Sequence, residues 1–285
     1  MTSNMHKISA IIPVFNRFDF LRRALVCLQN QSMQVDEVVI TDDGSSPDLL
    51  VNLKKLAPDL SMPVKYIRQD NKGFRLSKVR NNGVRVSSGD WLIFLDQDII
   101  YTKRFIETFV KHFHEKKFIV SWPVRLTEQQ TLELTDEQMK NGNYENLITS
   151  RQIYEVGKQF RKDLFYVVCK KLRVRSIGPK LRGGLFAVSR DNYDKVNGFD
   201  ENYRGWGNED DDLGRRLDAA GITGKNPFWK EYPLHMWHEP YREGTKRVNL
   251  EYYRASIERT RKGEFYCEYG IHNPLEHETC EYLEL

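Results

Sequence analysis

ISAIIPVFNR, residues 8–17, is a continuous apolar run that ends near Val14 in a polar loop. This is the pattern of a strand buried on both faces of a parallel sheet. Leu21, Ala24, Leu25 and Leu28 follow at helical spacing over residues 19–32. DEVVITDDGSSPD, residues 36–48, then supplies a second strand, a turn and, at Ser46-Pro47, a helix start that Leu49, Leu50, Leu53 and Leu56 continue. PVKYIRQ, residues 63–69, reads as a third strand. Strands and helices alternating through short links predict an α/β fold with a doubly wound, mostly parallel, Rossmann-like sheet. Such sheets bind ligands beyond the carboxyl ends of their strands, where Pro13, Val14, Asn16, Arg17, Asp42 and Asp43 fall. An aspartate there suits the N–H of a uracil or, equally, an ordinary Asp-Gly turn.

The next elements carry chemistry. Residues 71–89, NKGFRLSKVRNNGVRVSSG, form a glycine-led loop and helix in which Arg80 is able to pair with phosphate or with an aspartate of a base pocket. GDWLIFLDQDII, residues 89–100, is an apolar strand interrupted by Asp96 and Asp98. Carboxylates closing a buried strand are costly without a cationic partner, and a divalent metal is the obvious one. Residues 183–217, GGLFAVSRDNYDKVNGFDENYRGWGNEDDDLGRRL, place Glu209, Asp210, Asp211 and Asp212 at a helix start behind Gly205-Trp206-Gly207. Acids in a first turn suit the helix dipole, which accounts for one or two of the four. The glycines suggest a mobile loop carrying a flat aromatic face for a sugar ring, beside carboxylates able to take a hydroxyl proton. In FWKEYPLHMWHE, residues 228–239, His235 and His238 stand three apart; both reach one metal if the segment is turn-like, and point to opposite faces if it is a strand.

PVFNR, ITDDGSSPD and the DxD at Asp96–Asp98 together resemble the opening of the inverting family 2 glycosyltransferases of the GT-A fold, over roughly residues 7–125. The GWGxEDDDL run at Gly205–Leu213, preceded by Gly183-Gly184 and Val196–Phe199, resembles the carboxy-terminal signature of the β-1,4-galactosyltransferases. These resemblances imply inverting transfer of a sugar, galactose or N-acetylgalactosamine, from a UDP-sugar to an acceptor hydroxyl. Asp210 would be the general base, Trp206, Glu209 and Asp211 the acceptor-binding residues, and Asp96, Arg80 and Gly184 donor-side residues. Asp98 and His238 would hold Mn²⁺ or Mg²⁺, with His235 at the place where the galactosyltransferases carry a methionine ligand.

Composition sets the frame. A chain of 285 residues with 40% hydrophobic content fits a single GT-A domain: a nucleotide-sugar half (7–125), an acceptor and catalytic half (173–240) and a C-terminal helix with an acidic tail (241–285) forming an acceptor-side extension. No run of 18 apolar residues and no apolar leader is present, so a cytoplasmic protein, peripheral at the inner face of the membrane, is expected. Cys27, Cys169, Cys267 and Cys280 lack CxxC spacing and read as free or core thiols. Residues 161–182 hold eight Lys or Arg against Asp163 alone, which suits an anionic membrane surface, a phosphorylated acceptor or solvent. Residues 264–285 hold six Glu and no Lys or Arg and read as a tail or docking segment. A net charge of +4 without a recognised module argues against nucleic acid; the resemblances imply a glycan or lipid-linked glycan as the acceptor. Residues 126–172 are expected to hold a short helix and a long loop. Two rival readings are a sugar-nucleotide nucleotidyltransferase, which would need a glycine-rich phosphate loop where PVFNR stands, and a carbohydrate-binding scaffold that retains the fold without catalysis.

Overall fold

A computed structural model describes residues 6–174, 178–239 and 248–285. Strands β1 (Ile8–Val14) and β2 (Glu37–Asp42) are buried along their whole length, as their unbroken apolar runs require. Helix α1 (Phe18–Gln29) joins them, and α2 (Pro47–Leu56) leads on to β3 (Val64–Arg68). Helix α3 (Leu76–Val86) then crosses to β4 (Trp91–Leu95), which stops one residue short of Asp96. Strands β3, β2, β1 and β4 lie side by side and all parallel. The order reverses at β1, so the carboxyl ends of β1 and β4 flank the crevice where doubly wound sheets bind ligands.

Strand β5 (Ile99–Ile100) and helix α4 (Phe105–Val110) precede β6 (Lys117–Val120) and β7 (Val124–Arg125). Residues 126–172, expected as one short helix and a long loop, instead form three helices: α5 (Glu128–Leu132), α6 (Asp136–Asn141) and the 22-residue α7 (Ser150–Lys171). Each begins with a reciprocal capping box, Thr127/Gln130, Thr135/Gln138 and Thr149/Gln152, which satisfies backbone donors that apolar periodicity does not reveal. Helix α7 is held by Asp163, whose carboxylate accepts from Trp122 Nε1 at 2.8 Å, Asn226 Nδ2 at 2.8 Å and Gln159 Nε2 at 2.9 Å.

Strand β8 (Leu185–Ser189) runs antiparallel between β4 and β6. It is followed by α8 (Arg190–Lys195), α9 (Glu209–Ala219), β9 (Thr223–Lys225) and β10 (Leu234–His235). Strand β9 closes one edge of the sheet beside β6, while β10 pairs with β5 and β7 in a small second sheet. After α10 (Leu250–Arg261), β11 (Glu281–Glu284) adds antiparallel to β3 at the other edge. The acidic end is therefore no loose tail. Glu276 and Glu278 each receive Arg75 Nη1 at 2.8 Å, and Lys78 Nζ lies 3.6 Å from Glu278, so these acids neutralise cations at the start of α3. Among the described residues no helix is long and apolar enough to cross a membrane.

Asp163 is 2% exposed, and its loss leaves Trp122 Nε1 and Asn226 Nδ2 without an acceptor. Asp163→Ala is expected to lower unfolding free energy by about 2–3 kcal/mol, the range for orphaned buried donors. Urea titration of parent and variant checks it, and an unchanged midpoint contradicts the anchoring role.

Candidate active site

The site is built around one buried side chain. Arg80 on α3 is 1% exposed. Its Nη1 donates to Asp210 Oδ1 at 3.0 Å, its Nη2 to Asp96 Oδ1 at 3.2 Å, and its guanidinium lies 5.0 Å over the Phe199 ring. A residue read from sequence as a phosphate or nucleotide contact thus sits beneath the site, joining the end of β4 to the start of α9. Gly183 and Gly184 make this possible, because a Cβ on Gly183 would overlap Asp210 Oδ1 and Arg80 Nη1, and one on Gly184 would overlap Asp96 Oδ2. Gly184 O also accepts from Asp96 N at 3.0 Å.

The VNGF segment is held from the same helix. Asn81 Oδ1 accepts from Tyr193 Oη at 2.6 Å and Phe199 N at 3.1 Å, while its Nδ2 donates to Phe199 O at 2.9 Å. Gly198, at φ 66°, turns against the Tyr193 ring and Asn81 where a side chain has no room.

The four acids of α9 have four different environments. Asp210 Oδ2 has no hydrogen bond among the described residues, so one oxygen is fixed by Arg80 and the other is open. Asp211 faces Lys180 Nζ at 3.1 Å, Arg215 Nε at 3.7 Å and the Tyr253 hydroxyl. Asp212 is fully buried; it takes Arg216 Nε at 2.6 Å and Ser256 Oγ, and Arg216 Nη1 continues to Val196 O and Gly198 O. Glu209 is buried with Oε2 unpartnered. Burial, reinforced by the neighbouring Asp210, pushes its carboxyl up to about 8. Trp206, 63% exposed, projects from a turn in which Gly205, Gly207 and Asn208 all have positive φ.

Three donor atoms converge beside the cluster. Asp98 Oδ2 lies 2.9 Å from His238 Nε2 and 3.6 Å from His235 Nε2. The histidines meet because β10 ends at His235: Met236 N bonds Asp98 O at 2.9 Å, and the chain beyond leaves the strand alternation that would have parted them. Burial opposes the charge of Asp98, yet the His238 bond and both imidazoles hold its carboxyl below the usual range. Donation from its Nε2 to Asp98 holds the His238 imidazole above its ordinary value, and its Nδ1 lies 2.8 Å from Glu239 O.

At the ends of β1 and β2 the sequence-derived set divides. Asn16 and Arg17 are left-handed, with Asn16 N on Ser45 Oγ at 2.7 Å and Asn16 Oδ1 accepting from Ser46 N at 2.9 Å. Pro13 and Val14 are buried, and Val14 O accepts from Asp43 N at 3.0 Å. Asp42 is turned inward, onto Ser45 N, Ser45 Oγ and the Tyr66 hydroxyl. Asp43 accepts from Gln69 Nε2 at 2.6 Å and Arg75 N at 3.1 Å; burial outweighs those bonds and pushes its carboxyl up to about 6. Arg182, the end of the basic stretch noted in the sequence, stacks 4.2 Å over the Trp122 ring next to Gly183.

The mixed eight-stranded sheet, with two carboxylates at the end of β4 and an acid-led helix facing them, is the fold of the GT-A glycosyltransferases. The chain belongs to glycosyl transferase family 2, whose pattern matches residues 9–177, and residues 164–239 match the family described as the N-terminal domain of galactosyltransferase. It is similar to chondroitin synthase of Pasteurella multocida (strain Pm70), 31% identical over 268 residues that cover 88% of this chain and 27% of that protein. Similarity extends to validoxylamine A glucosyltransferase of Streptomyces hygroscopicus subsp. jinggangensis (strain 5008), 30% identical over 258 residues, 84% of this chain and 58% of that protein. The chain thus spans about a quarter of the first relative and over half of the second. Among solved structures, GalNAc-T7 with UDP, GalNAc and Mn2+ superposes with TM-score 0.60 at 16% identity, covering 90% of this chain and 49% of that one. The mannosyltransferase PcManGT from Pyrobaculum calidifontis, in complex with GDP-Man and Mn2+, gives 0.55 at 14%, covering 92% and 64%.

Between the ordinary glutamate value and about 8, folded protein keeps a proton on Glu209 that unfolded chain releases, so this residue's effect on stability worsens as pH rises through that window. Glu209→Gln removes the effect. The variant's melting midpoint is expected to exceed the parent's by roughly 10 °C at pH 8 and by little at pH 5, given about 2–4 °C per kcal/mol for a chain of this size. Scanning calorimetry at both pH values decides it, and a pH-independent difference refutes the assignment.

Proposed function

We propose that the chain transfers a sugar with inversion from a UDP-sugar to a glycan hydroxyl, with a divalent metal bound at Asp98, His235 and His238. The observation that carries this reading is the single guanidinium of Arg80 bonded to both Asp96 and Asp210, which ties the donor-side carboxylate to an acid with one open oxygen. The galactosyltransferase signature favours galactose or N-acetylgalactosamine, and similarity to a chondroitin synthase favours a polysaccharide as the setting.

A metal fits the residues present. The ligand atoms of Asp98, His235 and His238 lie within 4.8 Å of one another, and Asp98 Oδ1 is buried without a partner. Two imidazoles and a carboxylate suit Mn²⁺. Bound there, the metal would offset the charge that grows on the departing diphosphate. Asp210 Oδ2 removes the acceptor proton as the acceptor oxygen bonds the anomeric carbon, and the bond from that carbon to the diphosphate oxygen breaks on the opposite face. Arg80 keeps Asp210 aimed by holding Oδ1. Trp206 offers its exposed face for stacking, and Asp43 accepts the uracil N–H.

Asp98→Ala is expected to abolish Mn²⁺-dependent UDP binding, and His235→Ala and His238→Ala to weaken Mn²⁺ affinity, because all three donors converge. Titration calorimetry with Mn²⁺ and UDP tests each variant; unchanged metal dependence in Asp98→Ala refutes the metal assignment.

Asp210→Asn retains an oxygen for Arg80 but takes no proton. Transfer should fall by about 10²–10⁴-fold, the usual worth of general-base assistance, with UDP-sugar affinity kept. Rates at saturating donor and acceptor decide it, and a variant retaining more than about a tenth of parental turnover places the base elsewhere.

A further inference from the structure

Among the described residues, nothing covers one face of helix α7. Tyr154, Leu164, Phe165, Val168 and Leu172 are 46–69% exposed. Positions 154, 158, 161, 165, 168 and 172 recur at helical spacing and so lie along one side, while Asp163, the buried residue of the helix, lies on the other. Cations interleave with the apolar groups: Arg151, Lys158, Arg161, Lys162, Lys171 and Arg173 are exposed, against Glu155 as the exposed acid of the helix. Arg161 stacks 5.5 Å over Tyr154, and Lys162 5.6 Å over Tyr166.

We infer that this face of α7 lies on an anionic lipid surface. Exposed aromatic and aliphatic side chains in a row mark a contact surface, and cations among them select an anionic partner. A second copy of this chain is a poor occupant, because a two-fold contact would set the same row of cations against itself. A bilayer accepts the face along its whole length, about 33 Å for 22 residues at 1.5 Å each. Apolar side chains enter the acyl boundary while lysine and arginine stems reach the headgroups. The sequence pointed to residues 161–182; the structure moves the surface to 151–173 and adds its apolar component. This inference is independent of the donor, metal and acceptor assigned above.

Sedimentation of the full chain with vesicles tests it, comparing phosphatidylcholine containing one-third phosphatidylglycerol with phosphatidylcholine alone. Binding is expected to the anionic vesicles only and to decline as salt rises. Arg161→Glu/Lys162→Glu should weaken it by at least about 25-fold, from roughly 1 kcal/mol, or fivefold, per lost cation near the surface, with repulsion of the new carboxylates added. Leu164→Ser/Phe165→Ser should weaken it by at least about tenfold through lost apolar burial. Circular dichroism and melting midpoints matching the parent show that the variants remain folded. No binding at low salt overturns the inference. So does binding that survives both double substitutions, loss on charge reversal without loss on apolar substitution, which marks a general polyanion surface, or a dimer that the apolar substitution dissociates.

Discussion

The buried guanidinium of Arg80 is the constraint on which the site depends. A permanent cation excluded from water must be met by anions in good geometry, and here the two that meet it come from opposite ends of the chain's chemistry, Asp96 after β4 and Asp210 in α9. Removing either leaves a buried charge under-compensated, so the fold places both carboxylates before any substrate arrives. The glycine pair at 183–184 is the steric counterpart of that electrostatic demand: it lets backbone, guanidinium and two carboxylates share one layer. In the proposed mechanism such preorganisation matters, because a base fixed at one oxygen needs little rearrangement when charge moves.

The acidic run shows how neighbouring carboxylates acquire different duties. Asp212 is spent on structure, since Arg216 carries its charge to the carbonyls of Val196 and Gly198 and so fastens α9 to the VNGF turn. Asp211 meets the side chains of Lys180, Arg215 and Tyr253 at the rim. Glu209, buried with an orphan oxygen, holds its proton well above the ordinary range. Asp210 has one oxygen fixed by the buried Arg80 guanidinium and the other without a hydrogen bond among the described residues. The helix dipole favours all four equally in the first turn, so it is side-chain surroundings, and not position on the helix, that separate them.

Much of this was legible in the sequence because it rests on local pattern. Apolar runs ending at Val14 and Leu95 and helical spacing in α1 and α2 pointed to the parallel half, and DxD, GG and GWGNEDDDL pointed to segments that the structure brings together around Arg80. What escaped depends on distant partners. Asp163 is a lone acid in a basic stretch until Trp122 and Asn226 surround it. Glu276 and Glu278 read as a tail until Arg75 and Lys78, some two hundred positions earlier, receive them. His235 was ambiguous because strand or turn geometry sets its direction, and the strand proves to end at that very residue. The three threonine capping boxes between 127 and 152 are different. They are a local signal, overlooked because the apolar spacing there is weak.

The direction of one strand explains why both halves of the chain reach the same edge of the sheet. Strand β4 runs with β1, so its carboxyl end delivers Asp96 and Asp98 to the crevice. Strand β8 runs against β4, with Leu185 opposite Leu95, so it is the beginning of β8 that lies there, together with the preceding Lys180–Gly184 segment. A parallel β8 would have sent Gly183 and Gly184 to the far side, away from Arg80. Antiparallel insertion also leaves the end of β8 on the opposite edge, and the chain must travel back through α8 and the VNGF turn before α9 begins. The anchors along that return, Asn81 on Phe199 and Arg216 on Val196 and Gly198, fix where α9 starts. The placement of Asp210 against Arg80 is thus a consequence of strand direction enforced by buried polar bonds, and the exposed Trp206 loop is the part of the return path left outside that framework.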